Sequence, residues 1–218
     1  MMRRLSGIVA TMYVPEHFAV AEDAEIAEIL RHAPLGCLVT HVSRGLFATH
    51  IPFVYDPGKC VLAGHLSRAN PHWAEAGGEE ALVIFQGASA YVSPNWYPSK
   101  AVHGRVVPTW NYEAVHAYGS LLWREEPDWL LANVTALTER FEGLQPKPWA
   151  VTDAPADHVE RLIAGIVGVE IQISRVEAKR KLSQNRSEHD REGVIAGLAA
   201  SPSHLDQTLA ELMRRQQT

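Results

Sequence analysis

The stretch Leu62 to Trp73, LAGHLSRANPHW, sets polar donors between an apolar strand and a helix start. His65, Ser67, Arg68 and Asn70 lie close together in sequence, with backbone amides opening toward Asn70 and Pro71, and such a donor set suits a phosphate dianion. Asn70 has the side chain of a helix N-cap and Pro71 the fixed φ of a first helical residue. Free amides and the positive end of a short helix would then face the same corner. The plain alternative is an ordinary strand, turn and helix with a solvated arginine, because serine and arginine are common in turns.

Other chemistry finds less support. The eleven histidines include His41, His50, His65 and His72 in the first third, but none forms an H-x-H or H-x-x-x-H pair and no cysteine cluster adjoins them, so no metal site is expected. Ser67 lacks the G-x-S-x-G elbow. Cys37 and Cys60 sit in apolar runs, where a thiolate is costly and a disulfide framework is not indicated. No catalytic residue is singled out. KRKLSQNR, Lys179 to Arg186, is the most basic piece of the chain, and three readings stand open for it: a DNA contact, a phosphate clamp or a solvated strand end. Gln184 and Asn185 suit directed hydrogen bonding.

The 218 residues suit one domain with a sizeable core, or one domain with a helical appendage. With 46% hydrophobic and 21% charged residues and no apolar run near the roughly 20 needed to span a bilayer, a globular chain in the cytoplasm is expected. Arg3 and Arg4 precede too short an apolar run for a secretory leader. A net charge of −5 argues against a broad basic surface, so any DNA contact needs a local patch.

The elements that must position these residues follow from periodicity. Glu22 to Ala33 reads as a helix with Ile26, Ile29 and Leu30 on one face and Pro34 as its stop. Gly36 to Val42, Leu46 to Tyr55 and Lys59 to His65 read as strands joined by tight turns, hence antiparallel. Pro52 cannot donate to a ladder, so a bulge or an edge is expected there. A short helix from Pro71 precedes a buried strand, Ala81 to Phe85, continued by Ala90 to Ser93 beyond Gly87. Pro94 to Arg105 has no period and reads as a functional loop. Thr109 to Trp123 alternates, as do Val167, Val169, Ile171 and Ile173. Helices are expected from Pro127 (Leu130, Val134, Leu137, Phe141), over Asp157 to Ala164, and twice after Ser187 (Val194, Ile195, Leu198, then Leu205, Leu209, Leu212). The sum is an α+β barrel.

Six pieces in order, MYVPEHF from Met12, THIPFVYD from Thr49, GHLSRANPHW from Gly64, YVSPNWYPSK from Tyr91, VPTWNY from Val107 and KLSQNRSEHDREGVIAGL from Lys181, resemble the PaiB-type FMN-binding proteins often named negative transcriptional regulators. The resemblance implies a six-stranded antiparallel split β-barrel with peripheral helices and a C-terminal helical pair. The barrel domain would occupy residues 1–186 and the helical appendage 187–218. It also implies bound FMN, a homodimer, and a DNA or regulatory protein partner; a flavin-dependent oxidoreductase is the alternative. His65, Ser67, Arg68 and Asn70 would cradle the phosphate, and the backbone of Thr49, His50 and Ile51 would run beside the ring. In such barrels the flavin lies at the dimer interface, so Trp96, Lys100, Trp110, Lys181 and Gln184 would complete the site, some from the partner chain. Charge-assisted hydrogen bonds contribute about 1.5 to 3 kcal/mol each, so three with ring burial would approach the roughly 8 kcal/mol of micromolar binding.

Overall fold

The computed structural model describes residues 12–78 and 80–216. Arg3 and Arg4 lie outside the described residues. Among the described residues seven strands, β1 (Leu35–Val42), β2 (Gly45–Pro52), β3 (Val54–Asp56), β4 (Val61–Ser67), β5 (Glu80–Val92), β6 (Thr109–Arg124) and β7 (Ile166–Lys181), form one antiparallel sheet in the order β2-β1-β5-β6-β7-β4-β3. The helices are α1 (Asp23–His32), α2 (His72–Glu75), α3 (Ser99–His103), α4 (Pro127–Glu142), α5 (Ala156–Ala164), α6 (Glu188–Ala199) and α7 (His204–Arg215).

The expected count of six strands is corrected to seven, and the cause lies in one stretch. Leu46 to Tyr55 breaks at Phe53 into β2, which pairs with β1 from Leu35↔Pro52 to Val42↔Gly45, and β3, which pairs with β4. Pro52 has no N–H, and the Phe53 amide leaves the ladder to donate to the Pro34 carbonyl at 2.9 Å. The Phe53 ring turns inward and meets Phe85 edge to face, centroids 5.9 Å apart. One run of chain therefore serves both ends of the sheet order, which is how a split barrel closes. Gly64 permits the closure, because a Cβ there would stand 2.8 Å from both the Ile51 side chain and the Pro52 carbonyl.

The chain forms two compact units. Within the described residues the first comprises Pro34–Phe85 and His116–Val176 except Glu79, and the second comprises 12–33, Gln86–Val115 and 177–216. In the first unit Leu38, Ile51, Leu62, Val83, Ala117, Val167 and Ile171 fill the interior. β6 keeps the alternation expected of it. α4 lies on β3 and β4. Its buried face is Leu130, Asn133 and Leu137, while Phe141, expected inside, is exposed; the Asn133 side-chain amide oxygen partners His65 of β4. In α5 only Ile163 is buried, and its neighbour Leu162 is exposed.

In the second unit α6 and α7 pack together, α6 started by Ser187 and α7 by Ser203, whose hydroxyls accept from the amides of Asp190 and Asp206. Their core is Val194, Leu198, Leu209 and Met213 with Val92, Tyr97 and Leu182; Leu205, expected in it, is exposed. The segment Pro94 to Arg105 is less irregular than its sequence implies: a 3-10 turn at Pro94–Trp96 leads into α3. β7 continues well past Ile173, and Lys179 and Arg180 are buried. The Arg180 guanidinium meets three carboxylates, Glu113 at 2.6 Å, Glu25 at 2.8 Å and Glu28 at 3.1 Å. The end of KRKLSQNR nearest the strand is thus a buried ion network, with Lys179 donating to the Tyr13 carbonyl. No helix among the described residues is long and apolar enough to cross a membrane.

Candidate functional site

The twelve expected site residues divide between the units. Thr49, His50, Ile51, His65, Ser67, Arg68 and Asn70 belong to the first, and Trp96, Lys100, Trp110, Lys181 and Gln184 to the second.

In the first unit the organising group is His72, a residue outside the expected set. It is fully buried at the start of α2, its ring stacked on Phe47 (centroids 4.5 Å, planes 24° apart). Its Nε2 lies 2.7 Å from Thr40 Oγ1 and its Nδ1 2.8 Å from Thr49 Oγ1. Asn70 closes the circuit, accepting from the His72 amide at 3.0 Å and donating through Nδ2 to Thr49 Oγ1 at 3.3 Å. Burial holds the imidazole below its ordinary pKa, and the nearby Glu75 carboxylate opposes this without reversing it. So β2, β1 and the β4–α2 corner are joined by a directed polar cluster, which brings Thr49 and Asn70 together.

The corner departs from a simple phosphate cradle. Pro71, not Asn70, directly precedes the first residue of α2, and Asn70 caps the His72 amide from one residue further back. α2 has only one turn. The Ser67 hydroxyl is exposed and accepts from the Ala69 amide at 3.3 Å. His65 turns to α4, its Nδ1 2.9 Å from Asn133 Oδ1. Arg68 folds over the α5–β7 junction, donating to the carbonyls of Ala164 and Ile166 at 3.1 Å each and to Glu125 at 2.7 Å. Three of its five N–H groups are thereby committed and two remain, one on each Nη. A cleft of about 470 Å³ beside it is lined by Glu125, Asp128 and Glu160 as well as apolar Leu130 and Val159. On that side three carboxylates stand against one guanidinium, the reverse of what a phosphate needs.

Among the described residues β2 ends the sheet order, so its outward N–H and C=O groups have no neighbouring strand there. Ile51 is buried, Thr49 half-buried and His50 exposed. An edge strand with free backbone groups and hydroxyls fits the polar rim of a flavin ring, which carries both carbonyl acceptors and an N–H donor.

The second set makes mostly internal contacts. Trp96 lies across Gly193 and Gly197 of α6. Lys100 bonds Asn95, and Lys181 donates to Thr109 Oγ1 at 2.6 Å and to the Trp110 carbonyl. Burial lowers the Lys181 pKa, helped by the charges of Lys179 and Arg186. Gln184 braces the strand end, donating to the Arg180 carbonyl and accepting from the Leu182 amide, around Ser183 at φ 65°. Trp110 is 55% exposed and meets Tyr91 edge to face at 6.3 Å, which leaves an aromatic pair at the surface. Sequence reasoning missed His72 and Thr40 because their partnership spans 32 residues; the only local signal was the place of His72 in GHLSRANPHW.

This geometry defines a split barrel with a polar edge strand and an aromatic-bearing helical unit. Residues 12–175 match the family model described as "Putative FMN-binding domain", and the chain belongs to that family. It is similar, at 34% identity covering 93% of this chain and 96% of the other, to the Protease synthase and sporulation protein PAI 2 of Bacillus subtilis, a relative of the PaiB type that the motifs indicated. Its fold is like that of the flavocytochrome Anf3 from Azotobacter vinelandii (TM-score 0.58, 14% identity, 83% of this chain and 78% of that one). It is also like that of the FAD and heme binding protein from Mycobacterium smegmatis (TM-score 0.57, 18% identity, 82% and 80%).

Proposed function

We propose that this protein binds flavin mononucleotide along β2 and the β4–α2 corner, and that it acts as a PaiB-like negative regulator through a DNA or protein partner. The observation that carries the flavin reading is the cluster joining Thr49, His72 and Asn70 at an edge strand, in a chain of the FMN-binding family. Bound flavin supplies a redox-active ring. The chain's own residues would hold it: the outward backbone of Thr49 and His50 and the Thr49 hydroxyl would meet the ring's polar rim, and the Ser67 hydroxyl with the two remaining N–H groups of Arg68 would meet the phosphate. The regulatory reading rests on the resemblance. The net charge of −5 favours a local or protein-mediated contact over a broad DNA surface. A homodimer is part of the proposal, supported by the exposed Tyr91–Trp110 pair.

The experiment is to purify the protein, release any chromophore by heat and identify it, then titrate the stripped protein with FMN and riboflavin. Micromolar or tighter FMN binding is expected, and no flavin binding by the intact chain would refute the reading. Steady reductant consumption with a small acceptor, and no effect of flavin on any partner, would replace the regulator by an oxidoreductase.

A further inference from the structure

The hydrogen-bond circuit around His72 has only one arrangement of protons that satisfies every buried group. The His72 backbone N–H points at Asn70 Oδ1, which fixes the orientation of that amide, so the Asn70 nitrogen must be the atom that donates to Thr49 Oγ1. One lone pair of the Thr49 hydroxyl is thereby filled. The imidazole, buried and neutral, carries a proton on one nitrogen only. If that proton were on Nε2, Thr40 Oγ1 would accept it. The Thr40 hydroxyl hydrogen, 4% exposed and with no other partner among the described residues, would then be orphaned. Leaving such a donor unmade costs about 1 to 3 kcal/mol. With the proton on Nδ1, Thr40 donates to Nε2, Nδ1–H donates to Thr49, and the hydrogen left over is that of the half-buried Thr49 and not that of buried Thr40. Both lone pairs of Thr49 Oγ1 are then occupied, by His72 and by Asn70, and its single hydrogen has no acceptor among the described residues.

We propose that Thr40, His72 and Asn70 are positioning residues that lock the Thr49 hydroxyl as a hydrogen-bond donor, so that the β2 site takes an accepting group, a ring carbonyl oxygen of an oxidised flavin, at this position and refuses a ring N–H. The ligand part rests on the proposed function; the proton order stands on the geometry alone. His72 thus acts through Thr49 and need not touch the ligand. Thr49 sets polarity, whereas the backbone of a lone edge strand offers donors and acceptors alternately and discriminates little.

Two measurements on the full-length protein test this. Two-bond ¹H–¹⁵N correlations of histidine-labelled, flavin-free protein distinguish the tautomers, and the Nδ1–H form of His72 is expected; an Nε2–H signal overturns the proton order. FMN titrations then compare Thr49→Val with Thr49→Ser. The valine variant should lose roughly 3- to 10-fold in affinity, as for one neutral hydrogen bond, and the serine variant should retain it. In infrared spectra with ¹³C-labelled FMN, one ring carbonyl stretch should rise in frequency on Thr49→Val and return on Thr49→Ser. Unchanged affinity and carbonyl frequency in the valine variant overturn the donor assignment while leaving FMN binding intact. Failure of the wild type to bind FMN overturns the flavin half, and the tautomer spectrum still decides the proton order.

Discussion

The guanidinium of Arg68 holds the carbonyl of Ala164, 96 residues further along the chain, with Nε 3.1 Å from the oxygen. With the Ile166 carbonyl on Nη2 and the Arg68 amide on Gly165, one residue pins the β4–α2 corner to the α5–β7 junction. Arg68→Ala should therefore lower unfolding stability by roughly 2 to 3 kcal/mol, from two side-chain bonds to carbonyls, the Glu125 pair adding little because it is largely exposed. The two remaining N–H groups predict a second effect: FMN should lose about tenfold more affinity than riboflavin, which lacks the phosphate. Thermal melts beside paired titrations check both. Equal losses for the two flavins would leave Arg68 as a structural tie alone.

Acid should destabilise the protein in two windows. Folded His72 has a pKa below 6.5, so its stabilising contribution is complete above that pH. It is lost as the pH falls below 6.5, where the unfolded chain takes a proton that the folded one refuses. Glu170 behaves likewise lower down. Burial opposes its charge, but hydrogen bonds from Arg124, Gln172 and Trp129 outweigh burial, so its contribution is present above 4.5 and lost as the pH falls toward its depressed folded value. Melting temperatures from pH 8 to pH 3 should show both slopes (roughly the span of these groups). His72→Gln should flatten the upper one and Glu170→Gln the lower.

What could be read in advance follows the range of the forces. The alternation of β6 and the apolar positions of α6 report local periodicity, and both elements form where they are expected. The break at Phe53 was half-legible: Pro52 announced an interruption, but only the pairing of β3 with β4 decides that the stretch makes two strands. The burial of Arg180 was not legible. Its run reads as basic, with a DNA contact, a phosphate clamp and a solvated strand end all open, and the three carboxylates that meet Arg180 come from positions as much as 155 residues away. Nor was the use of Arg68 on backbone carbonyls, because carbonyls leave no mark in a sequence.

Trp96 offers a sharper packing test. A Cβ on Gly197 would fall inside its indole ring, and one on Gly193 against its carbonyl oxygen. Alanine is the better helix former by about 1 kcal/mol, so Gly197→Ala would stabilise an isolated α6. In the protein the steric clash should dominate, giving a net loss of about 1 to 3 kcal/mol and a changed Trp96 fluorescence. A stabilised variant would mean that the indole moves aside freely.

The proposed homodimer can be approached through Trp110, an exposed aromatic stacked edge-on against Tyr91. Aromatic anchors carry a disproportionate share of interface energy. Trp110→Ser should weaken self-association by at least tenfold in sedimentation, with the melting temperature of the monomer nearly unchanged. A wild-type protein that sediments as a monomer at micromolar concentration with flavin bound would end the dimer proposal.

Lys181 and Gln184 separate the cofactor, DNA and structural uses of the basic run. The Lys181 ammonium is half-buried between Thr109 Oγ1 and the Trp110 carbonyl, and Gln184 closes the backbone around Ser183. Burial first, then Lys179 and Arg186, disfavours its charge, so the site already resists a free cation. A DNA-contacting lysine is normally solvated and releases counterions on binding, which gives a salt slope of nearly one unit per phosphate contact. Changing both residues to alanine should therefore leave the salt dependence of any DNA binding unaltered. It should instead lower stability by about 1 to 3 kcal/mol and loosen the end of β6 that carries Trp110. If that end borders the flavin in the dimer, FMN affinity should fall in the dimeric protein and not in a monomeric Trp110→Ser background. A flavin titration in both backgrounds, beside a salt-series mobility shift, separates the three uses: a salt slope shallower by one unit would assign Lys181 to DNA, and an equal FMN loss in monomer and dimer would make its contact with the site internal to one chain.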